Sequence, residues 1–172
     1  MDLRVRHIKD VGTIKGILTS FIDSIGDSVA RIAYGWKDGP RDLVFGEEFW
    51  VVETTAGQTV GWYIIRPDPV HPFVWRLMGV FPQFQGLGVA DLVTRECIKY
   101  CKERGYFGIM IQILAGNPYL IKFLQKVRSG AVRFLEAGRM MYPEDCYLFY
   151  LPISFDDIVI EKSDGGGWRL ND

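Results

Sequence analysis

Residues 78–90 carry the clearest sign of chemistry in this sequence, because a strand pattern, a turn with two glycines and a helix pattern follow one another there. The first N–H groups of a helix have no partner within it, and the helix dipole adds roughly half a positive charge at that end. Gly86 and Gly88 let the backbone approach an anion closely, and Ala90 keeps the next turn slim. The segment is therefore suited to bind a pyrophosphate.

A tight structural turn without a ligand would use the same glycines, and the spacing alone leaves both interpretations open. The turn is not a P-loop, since no Lys-Ser or Lys-Thr pair follows the glycines. It is not a dinucleotide fingerprint either, because the GxGxxG spacing is absent.

The same segment resembles the GNAT acetyltransferase superfamily, whose signature Q/R-x-x-G-x-G/A follows a strand and opens a helix. Gln85, Gly88 and Ala90 match that signature. The surroundings are also similar to the family, and the resemblance covers about residues 1–153 in element order. The similar positions are Gly61 in the preceding hairpin, Val80 with Pro82 before the turn, and Asn117 with Pro118 after the next strand.

The resemblance implies a site for acetyl-CoA as co-substrate. The backbone of Met78, Gly79 and Val80 would pair with the pantetheine arm, and Asn117 would lie near its sulfur end. The pyrophosphate would be held by the residues of the turn and the helix start, which are Gln85, Gly86, Leu87, Gly88, Val89 and Ala90.

The resemblance also implies how the transfer proceeds. The strands that hold Val80 and Ile113 would separate, and the thioester would sit in the gap between them, with a backbone N–H polarising its carbonyl. An amine of a small molecule or a protein would then attack the thioester directly.

One departure from the family concerns the general acid. The family often places a tyrosine seven residues after the asparagine, to protonate the leaving thiolate, and this chain has Leu124 there. Tyr119 is a candidate substitute, but its different helical face favours an exposed or packing tyrosine over a proton donor. A thiol with a pKa near ~8.5 also leaves tolerably as an anion, so Leu124 weakens the prediction of activity without excluding it.

A general base must take a proton from the amine, and the sequence offers several candidates. His71 lies just before the strand that ends at Val80, but a histidine between Val70 and Pro72 also suits a turn with no chemical role. Glu47, Glu48 and Glu53 are the carboxylate candidates.

Aromatic residues are concentrated in the first half of the chain, where this architecture builds its acceptor pocket. Most of them should be core, since aromatic side chains bury a large area, and one or two could favour an aromatic or apolar acceptor. The residues concerned are Tyr34, Trp36, Trp50, Trp62, Tyr63, Phe73 and Trp75.

The elements that position these residues follow from hydrophobic periodicity and from the turn residues. Helices are predicted at 11–25, capped by Asp10, and at 28–34, 89–104 and 118–126, the last capped by Asn117. Strands are predicted at 3–7, 49–53, 59–66, 73–80, 106–114, 132–135 and 147–151. This order predicts an α/β (α+β) fold, with a mixed, mostly antiparallel sheet of about seven strands flanked by about four helices.

Composition limits the class of protein. The chain has 20 Lys and Arg against 21 Asp and Glu, so no global field draws it to nucleic acid, and it has no apolar run long enough for a membrane span. Its first residues lack the apolar region of a secretory signal, which favours a cytoplasmic location. Cys97 and Cys101 lie four apart on one predicted helix, and His7 and His71 lie far from them, so we expect reduced thiols and no metal site.

The sequence thus predicts an acyltransferase domain at residues 1–153 and a partly mobile extension at 154–172. The predicted function is transfer of an acetyl group from acetyl-CoA to an amine. The alternative is a catalytically silent module of the same fold, acting as an interaction or phage virion component.

Overall fold

A mixed sheet with helices on both faces forms the frame of the molecule, which a computed structural model describes over residues 2–141, 144–153, 160–162 and 168–170. The helices are α1 (Val11–Ile25), α2 (Asp27–Tyr34), α3 (Val89–Arg104) and α4 (Leu120–Arg128), and a 3-10 turn spans Pro82–Phe84. The strands of the main sheet are β1 (Leu3–Ile8), β2 (Glu48–Thr54), β3 (Thr59–Pro67), β4 (Phe73–Val80), β5 (Gly108–Leu114), β6 (Leu135–Met140) and β7 (Cys146–Pro152).

The seven strands of this sheet lie in the order β1-β2-β3-β4-β5-β7-β6. All neighbouring pairs are antiparallel except β4 and β5, which are parallel and are connected through α3. The predicted fold, a mostly antiparallel sheet of seven strands with four helices, is therefore confirmed in the described part of the chain.

Helices α1 and α2 cover one face of the sheet. Asp10 begins α1 as predicted, since its carboxylate accepts a hydrogen bond of 2.7 Å from the Thr13 N–H. The apolar stripe of α1, which includes Leu18 and Phe21, is buried against Trp62 of β3. The core on this face is rich in aromatic side chains.

Helices α3 and α4 cover the opposite face. The buried side of α3 includes Val93, Cys97 and Cys101, and it packs on alternate residues of the central strands such as Val74 and Ile109. The sheet thus separates two apolar cores, and α3 starts at the end of β4 where the chemistry is predicted.

Helix α4 begins later than predicted. The N–H of Tyr119 donates to the Asn117 side-chain oxygen at 2.9 Å, and this bond folds residues 117–119 into a turn. The helix therefore starts at Leu120 instead of Pro118, and Asn117 caps the turn that precedes it.

Strand β6 was also predicted too early, at residues 132–135. The N–H groups of Ala131 and Val132 both donate to the carbonyl of Lys126, which keeps the chain folded back on the end of α4. The strand therefore begins only at Leu135.

The last part of the chain contains a short antiparallel pair, β8 (Ile160–Lys162) with β9 (Trp168–Leu170). The sequence predicted a partly mobile extension here and no strand. Residues 154–159, 163–167 and 171–172 lie outside the described residues.

Candidate functional site

A gap opens between β4 and β5 toward their C-terminal ends. The two strands pair from Phe73 with Gly108 as far as Arg76 with Ile111, and the ladder ends there. Beyond this point β4 continues to pair with β3, while β5 pairs with β7. The gap lies between the segments that hold Val80 and Ile113, where the family resemblance implied that the thioester would sit.

The peptide groups of Met78 and Val80 face this gap. The Met78 carbonyl accepts a hydrogen bond of 3.2 Å from the Tyr34 hydroxyl, and the Val80 carbonyl accepts one of 3.4 Å from the Gln85 side-chain amide. The next peptide N–H, that of Phe81, donates instead to β3. Since peptide groups alternate along a strand, Met78 and Val80 present their backbone to the gap.

The peptide group of Gly79 faces β3 instead of the gap, and its lack of a side chain serves packing. A Cβ at this position would lie 2.7 Å from the rings of both Phe21 and Trp62, so a larger residue would displace this part of the core. Gly61 of β3 has a similar role, because a Cβ there would lie 3.0 Å from Val89 at the start of α3. Gly61 thus lets the start of α3 lie close to the sheet, and Gly79 makes room for Phe21 of α1 on the opposite face.

The turn between β4 and α3 is shaped by its glycines. Gly86 has φ 81° and Gly88 has φ 81°, in the left-handed region that other residues rarely adopt. A Cβ at either glycine would meet nothing within 4 Å, so the space above both is open.

Helix α3 starts without a cap. Gly88 occupies the N-cap position and offers no side-chain acceptor, so the first N–H groups of the helix, including those of Val89 and Ala90, lack a side-chain partner. Gly86 and Leu87 are exposed, and Val89 is buried under the turn. The helix dipole directs its positive end into the open space, so the arrangement can bind an anion.

Gln85 and Tyr119 meet at the mouth of the gap. The Gln85 side-chain amide lies 3.1 Å from the Tyr119 hydroxyl, and the contact joins the turn after β4 to the turn after β5. Tyr119 is about half exposed, and its main-chain N–H is held by Asn117. The structure thus brings these three predicted residues together at one end of the gap.

Tyr34 borders the gap on the side of α2, and buried aromatic side chains pack behind it. Tyr34, the last residue of α2, stacks on Trp36 at 4.9 Å and lies edge-on to Phe21 at 5.6 Å. Burial raises the pKa of the Tyr34 hydroxyl, which therefore stays protonated as the donor to Met78. Trp36 in turn stacks on Trp62 at 5.7 Å.

The remaining predicted aromatic residues lie elsewhere. Trp50 stacks between His7 and Tyr63, and Trp75 donates a hydrogen bond of 2.9 Å to Asp68. Phe73 lies at the start of β4, at the end opposite to the gap.

His71 is not brought to the gap. It precedes β4, which spans roughly 23 Å from Phe73 to Val80 at about 3.3 Å per residue, so it lies at the strand end opposite to Val80. Its Nδ1 lies 3.0 Å from a carboxylate oxygen of Asp68, and its ring stacks on Phe73. The contacts of His71 are therefore those of a turn histidine.

The three glutamates considered as bases have partners of their own. Glu47 forms a two-pronged ion pair with Arg41 at 2.7 Å, and Glu48 accepts a hydrogen bond from a tyrosine of α3. Glu53 is buried and paired with Arg4 and Arg6, which hold the pKa of its carboxyl below the usual value.

Leu124 packs against the apolar core on the α3 and α4 side, next to Phe123. The position at which the family resemblance implied a proton-donating tyrosine is thus apolar and partly buried. No hydroxyl reaches the gap from this position.

Arg76 is a buried charged residue next to the start of the gap that the sequence analysis missed. It lies at the last β4–β5 pair, where the gap begins, and only 9% of its surface is exposed. Its guanidinium donates to the Thr94 hydroxyl at 2.9 Å, and its Nε is buried without a partner. The sequence did offer a sign of this residue, because Arg76 is the single charged residue within the apolar strand Phe73–Val80.

Metal ligands do not converge among the residues that the structure describes, since no group of three His, Cys, Asp or Glu side chains there could hold an ion. Cys97, Cys101 and Cys146 are free thiols and are all buried. Within the same residues, no helix is both long and apolar enough to cross a membrane.

Comparison with known proteins gives curated relatives that match part of the chain. The uncharacterized N-acetyltransferase YdgE of Bacillus subtilis (strain 168) is 26% identical over 83 residues, which are 46% of this chain and 52% of that protein. The mycothiol acetyltransferase of Paenarthrobacter aurescens (strain TC1) is 28% identical over 113 residues, 63% of this chain and 32% of that protein. The matches therefore span about half and about a third of these relatives.

Solved structures share the fold. The spermidine N-acetyltransferase of Vibrio cholerae, solved in complex with CoA and spermine, superposes with a TM-score of 0.62 at 16% identity, over 87% of this chain and 95% of that one. The sequence model of the Acetyltransferase (GNAT) family matches residues 21–128, from within α1 to the end of α4. This match includes β4, the glycine turn and α3, and it covers more than half of the sequence. The chain is a member of the GNAT acetyltransferase family.

Proposed function

We propose that this protein is an N-acetyltransferase that transfers the acetyl group of acetyl-CoA to an amine of a small molecule or a protein by direct attack. One observation carries the proposal: the gap between β4 and β5 adjoins an uncapped helix start with two left-handed glycines. Membership of the GNAT family adds the expectation that these features are used for acyl transfer.

The turn fits the phosphates of CoA. The N–H groups of Gly88, Val89 and Ala90 lack a side-chain acceptor, and the space above Gly86 and Gly88 is open. A pyrophosphate would accept hydrogen bonds from these groups and would be stabilised by the helix dipole.

The edge of β4 fits the pantetheine arm. The peptide groups of Met78 and Val80 face the gap, and their carbonyls accept hydrogen bonds from the side chains of Tyr34 and Gln85. The Gln85 side chain is exposed and can turn aside, so that an amide chain pairs with Val80 in its place. Asn117 lies on the turn that borders the same gap.

Acetyl-CoA supplies an activated carbonyl for attack by the amine. The N–H of Met78 lies on the gap edge, where it can polarise that carbonyl. Tyr34, which donates to the Met78 carbonyl, borders the gap on the α2 side, from which the acceptor would approach. The spermidine-acetylating neighbour makes polyamines a suitable first class of acceptor to assay.

The proposal is tested by thermal unfolding of the purified chain with acetyl-CoA. At a ligand concentration ~100 times the dissociation constant, binding to the folded state alone adds about 2.7 kcal/mol. For a domain of this size that raises the midpoint by roughly 5–10 °C. If neither CoA nor acetyl-CoA moves the midpoint at millimolar concentration, the proposed site is wrong.

A silent module of the same fold is the second candidate, and the apolar Leu124 favours it, since the usual proton donor is missing. Thiol release from acetyl-CoA with a panel of amines separates the two. Stabilisation by CoA together with release above the background rate supports the enzyme, whereas stabilisation without release supports the module.

A further inference from the structure

The two turns at the mouth of the gap are each fixed by main-chain hydrogen bonds. After β4, the Phe81 N–H donates to the Val60 carbonyl of β3 at 3.1 Å, and the Phe84 N–H donates back to the Phe81 carbonyl at 2.8 Å. After β5, the Asn117 N–H donates to the Leu114 carbonyl at 2.9 Å. The backbone therefore sets the positions of both turns, whichever side chains face each other across the mouth.

The side chains of Gln85 and Tyr119 form a bridge between these turns. The Gln85 amide nitrogen lies 3.1 Å from the Tyr119 hydroxyl oxygen, and the Gln85 amide oxygen lies 3.3 Å from the same hydroxyl. The Gln85 nitrogen also donates to the Val80 carbonyl at 3.4 Å. The Tyr119 hydroxyl thus holds the Gln85 amide in front of a carbonyl that faces the gap.

The turn before α4 determines where the Tyr119 side chain points. The sequence placed Tyr119 inside a helix, on a face that favoured a packing role. In the structure its N–H donates to the Asn117 side chain, and the helix begins only at Leu120. Tyr119 therefore leaves the chain from a turn that borders the gap, and its hydroxyl reaches Gln85 on the other side of the mouth.

The Gln85–Tyr119 bridge can open without any movement of the backbone. Gln85 is exposed, and Tyr119 is 51% exposed, so water can replace each hydrogen bond. A neutral hydrogen bond in this setting is equivalent to roughly two- to tenfold in an equilibrium constant. Exposed side chains rotate within picoseconds to nanoseconds. The bridge therefore affects the equilibrium of ligand entry and imposes no slow step.

We propose that Tyr119 is a positioning residue that holds Gln85 as a gate over the pantetheine part of the CoA site; this rests on the proposed function. In the closed state the Gln85 amide occupies the space in front of the Val80 carbonyl, to which an amide N–H of pantetheine would donate. The arm enters when Gln85 turns aside, and this rotation breaks the contact with Tyr119.

The nucleotide part of CoA does not depend on the gate. Its phosphates would lie at the open space above Gly86 and Gly88, on the turn and the start of α3. The gate therefore lowers the affinity for ligands that carry the pantetheine arm, by the fraction of molecules in which the gate is open. A ligand without the arm escapes this reduction.

Calorimetry on the full chain with two ligands tests the gate. CoA carries the pantetheine arm, whereas ADP 3′-phosphate is the same molecule without that arm. Y119F removes only the hydroxyl that holds Gln85, and the exposed ring should leave the fold intact, as thermal melts without ligand can check. We expect Y119F to bind CoA roughly two- to tenfold more tightly than the wild type, with an unchanged affinity for ADP 3′-phosphate.

Two controls separate the gate from a general effect of a lost hydroxyl. The Tyr150 hydroxyl also donates one hydrogen bond, at 3.0 Å to the Phe107 carbonyl, but Phe107 precedes β5 at the strand end opposite to the gap. Y150F should therefore keep the wild-type affinity for CoA. In a Q85A chain, addition of Y119F should cause no further change in CoA affinity, whatever Q85A does alone.

Each outcome decides a different point. If Y119F binds CoA no more tightly than the wild type, the gate is refuted, and weaker binding would make Tyr119 a ligand contact instead. If Y119F tightens both ligands alike, or acts as strongly in the Q85A chain, the assignment to Gln85 and the pantetheine path is wrong. If neither the wild type nor Y119F binds CoA, the proposed function fails first, and the gate fails with it.

Discussion

Two glycines at opposite ends of α3 allow a controlled test of the anion site. Gly88 at the start has φ 81°, and Gly105 at the end has φ 76°. A Cβ at either position would meet nothing within 4 Å. G88A and G105A therefore impose the same left-handed strain and no steric clash, but only Gly88 borders the proposed phosphate position.

The strain at both glycines and the position of Gly88 beside the proposed phosphate site set the expected losses of stability and of CoA affinity. Left-handed backbone costs a residue with a Cβ roughly 1–2 kcal/mol, which lowers the melting midpoint by about 2–8 °C in a domain of this size. Both variants should show this loss. A hydrogen bond to a charged group contributes about 1.5–3 kcal/mol, so loss of one phosphate contact in G88A should weaken CoA binding roughly 10- to 150-fold.

Gly105 is separated from the turn by the 16 residues of α3, or about 24 Å at 1.5 Å per residue. Calorimetry with CoA should therefore find G105A equal to the wild type in affinity. Thermal melts without ligand supply the comparison of stability. If G88A binds CoA as tightly as G105A does, the turn is structural and the reasoning about the pyrophosphate is refuted.

Two further predictions concern proton donation and pH. If protonation of the leaving thiolate limits the rate, L124Y should raise acetyl transfer by about tenfold, because a tyrosine can donate the proton. The rate is measured as release of free thiol. An unchanged rate in a folded L124Y variant contradicts this prediction. The hydrogen bond from Arg6 and the charge of Arg4 lower the pKa of the Glu53 carboxyl in the folded protein. The ionised Glu53 therefore stabilises the fold above pH ~4.5, and this stabilisation is lost as the pH falls through the lowered pKa. Urea unfolding should thus show a steeper loss below pH 4.5 in the wild type than in E53Q, and parallel curves would disprove the assignment.

Local patterns in the sequence predicted most of the fold. Periodicity and turn residues are properties of short segments, and they identified the four helices and seven strands of the described frame. The glycine turn was predicted for a similar reason, since Gly86 and Gly88 allow a backbone that other residues resist.

Errors arose where distant or competing hydrogen bonds decide the structure. Asn117 was predicted to cap a helix, but its side chain satisfies Tyr119 in a turn and delays α4 to Leu120. The late start of β6 depends on two N–H groups that converge on Lys126. The starts of α4 and β6 both depend on a few hydrogen bonds, and helix and strand propensities do not predict which of these bonds form.

The contacts across the gap could not be read from the sequence at all. Tyr34 and Met78 are 44 positions apart, and Gln85 and Tyr119 are 34 apart. These pairs meet only because the sheet order places α2 and the turn after β5 beside the end of β4. Arg76 escaped notice for the same reason, since its burial is set by α3 and Phe134.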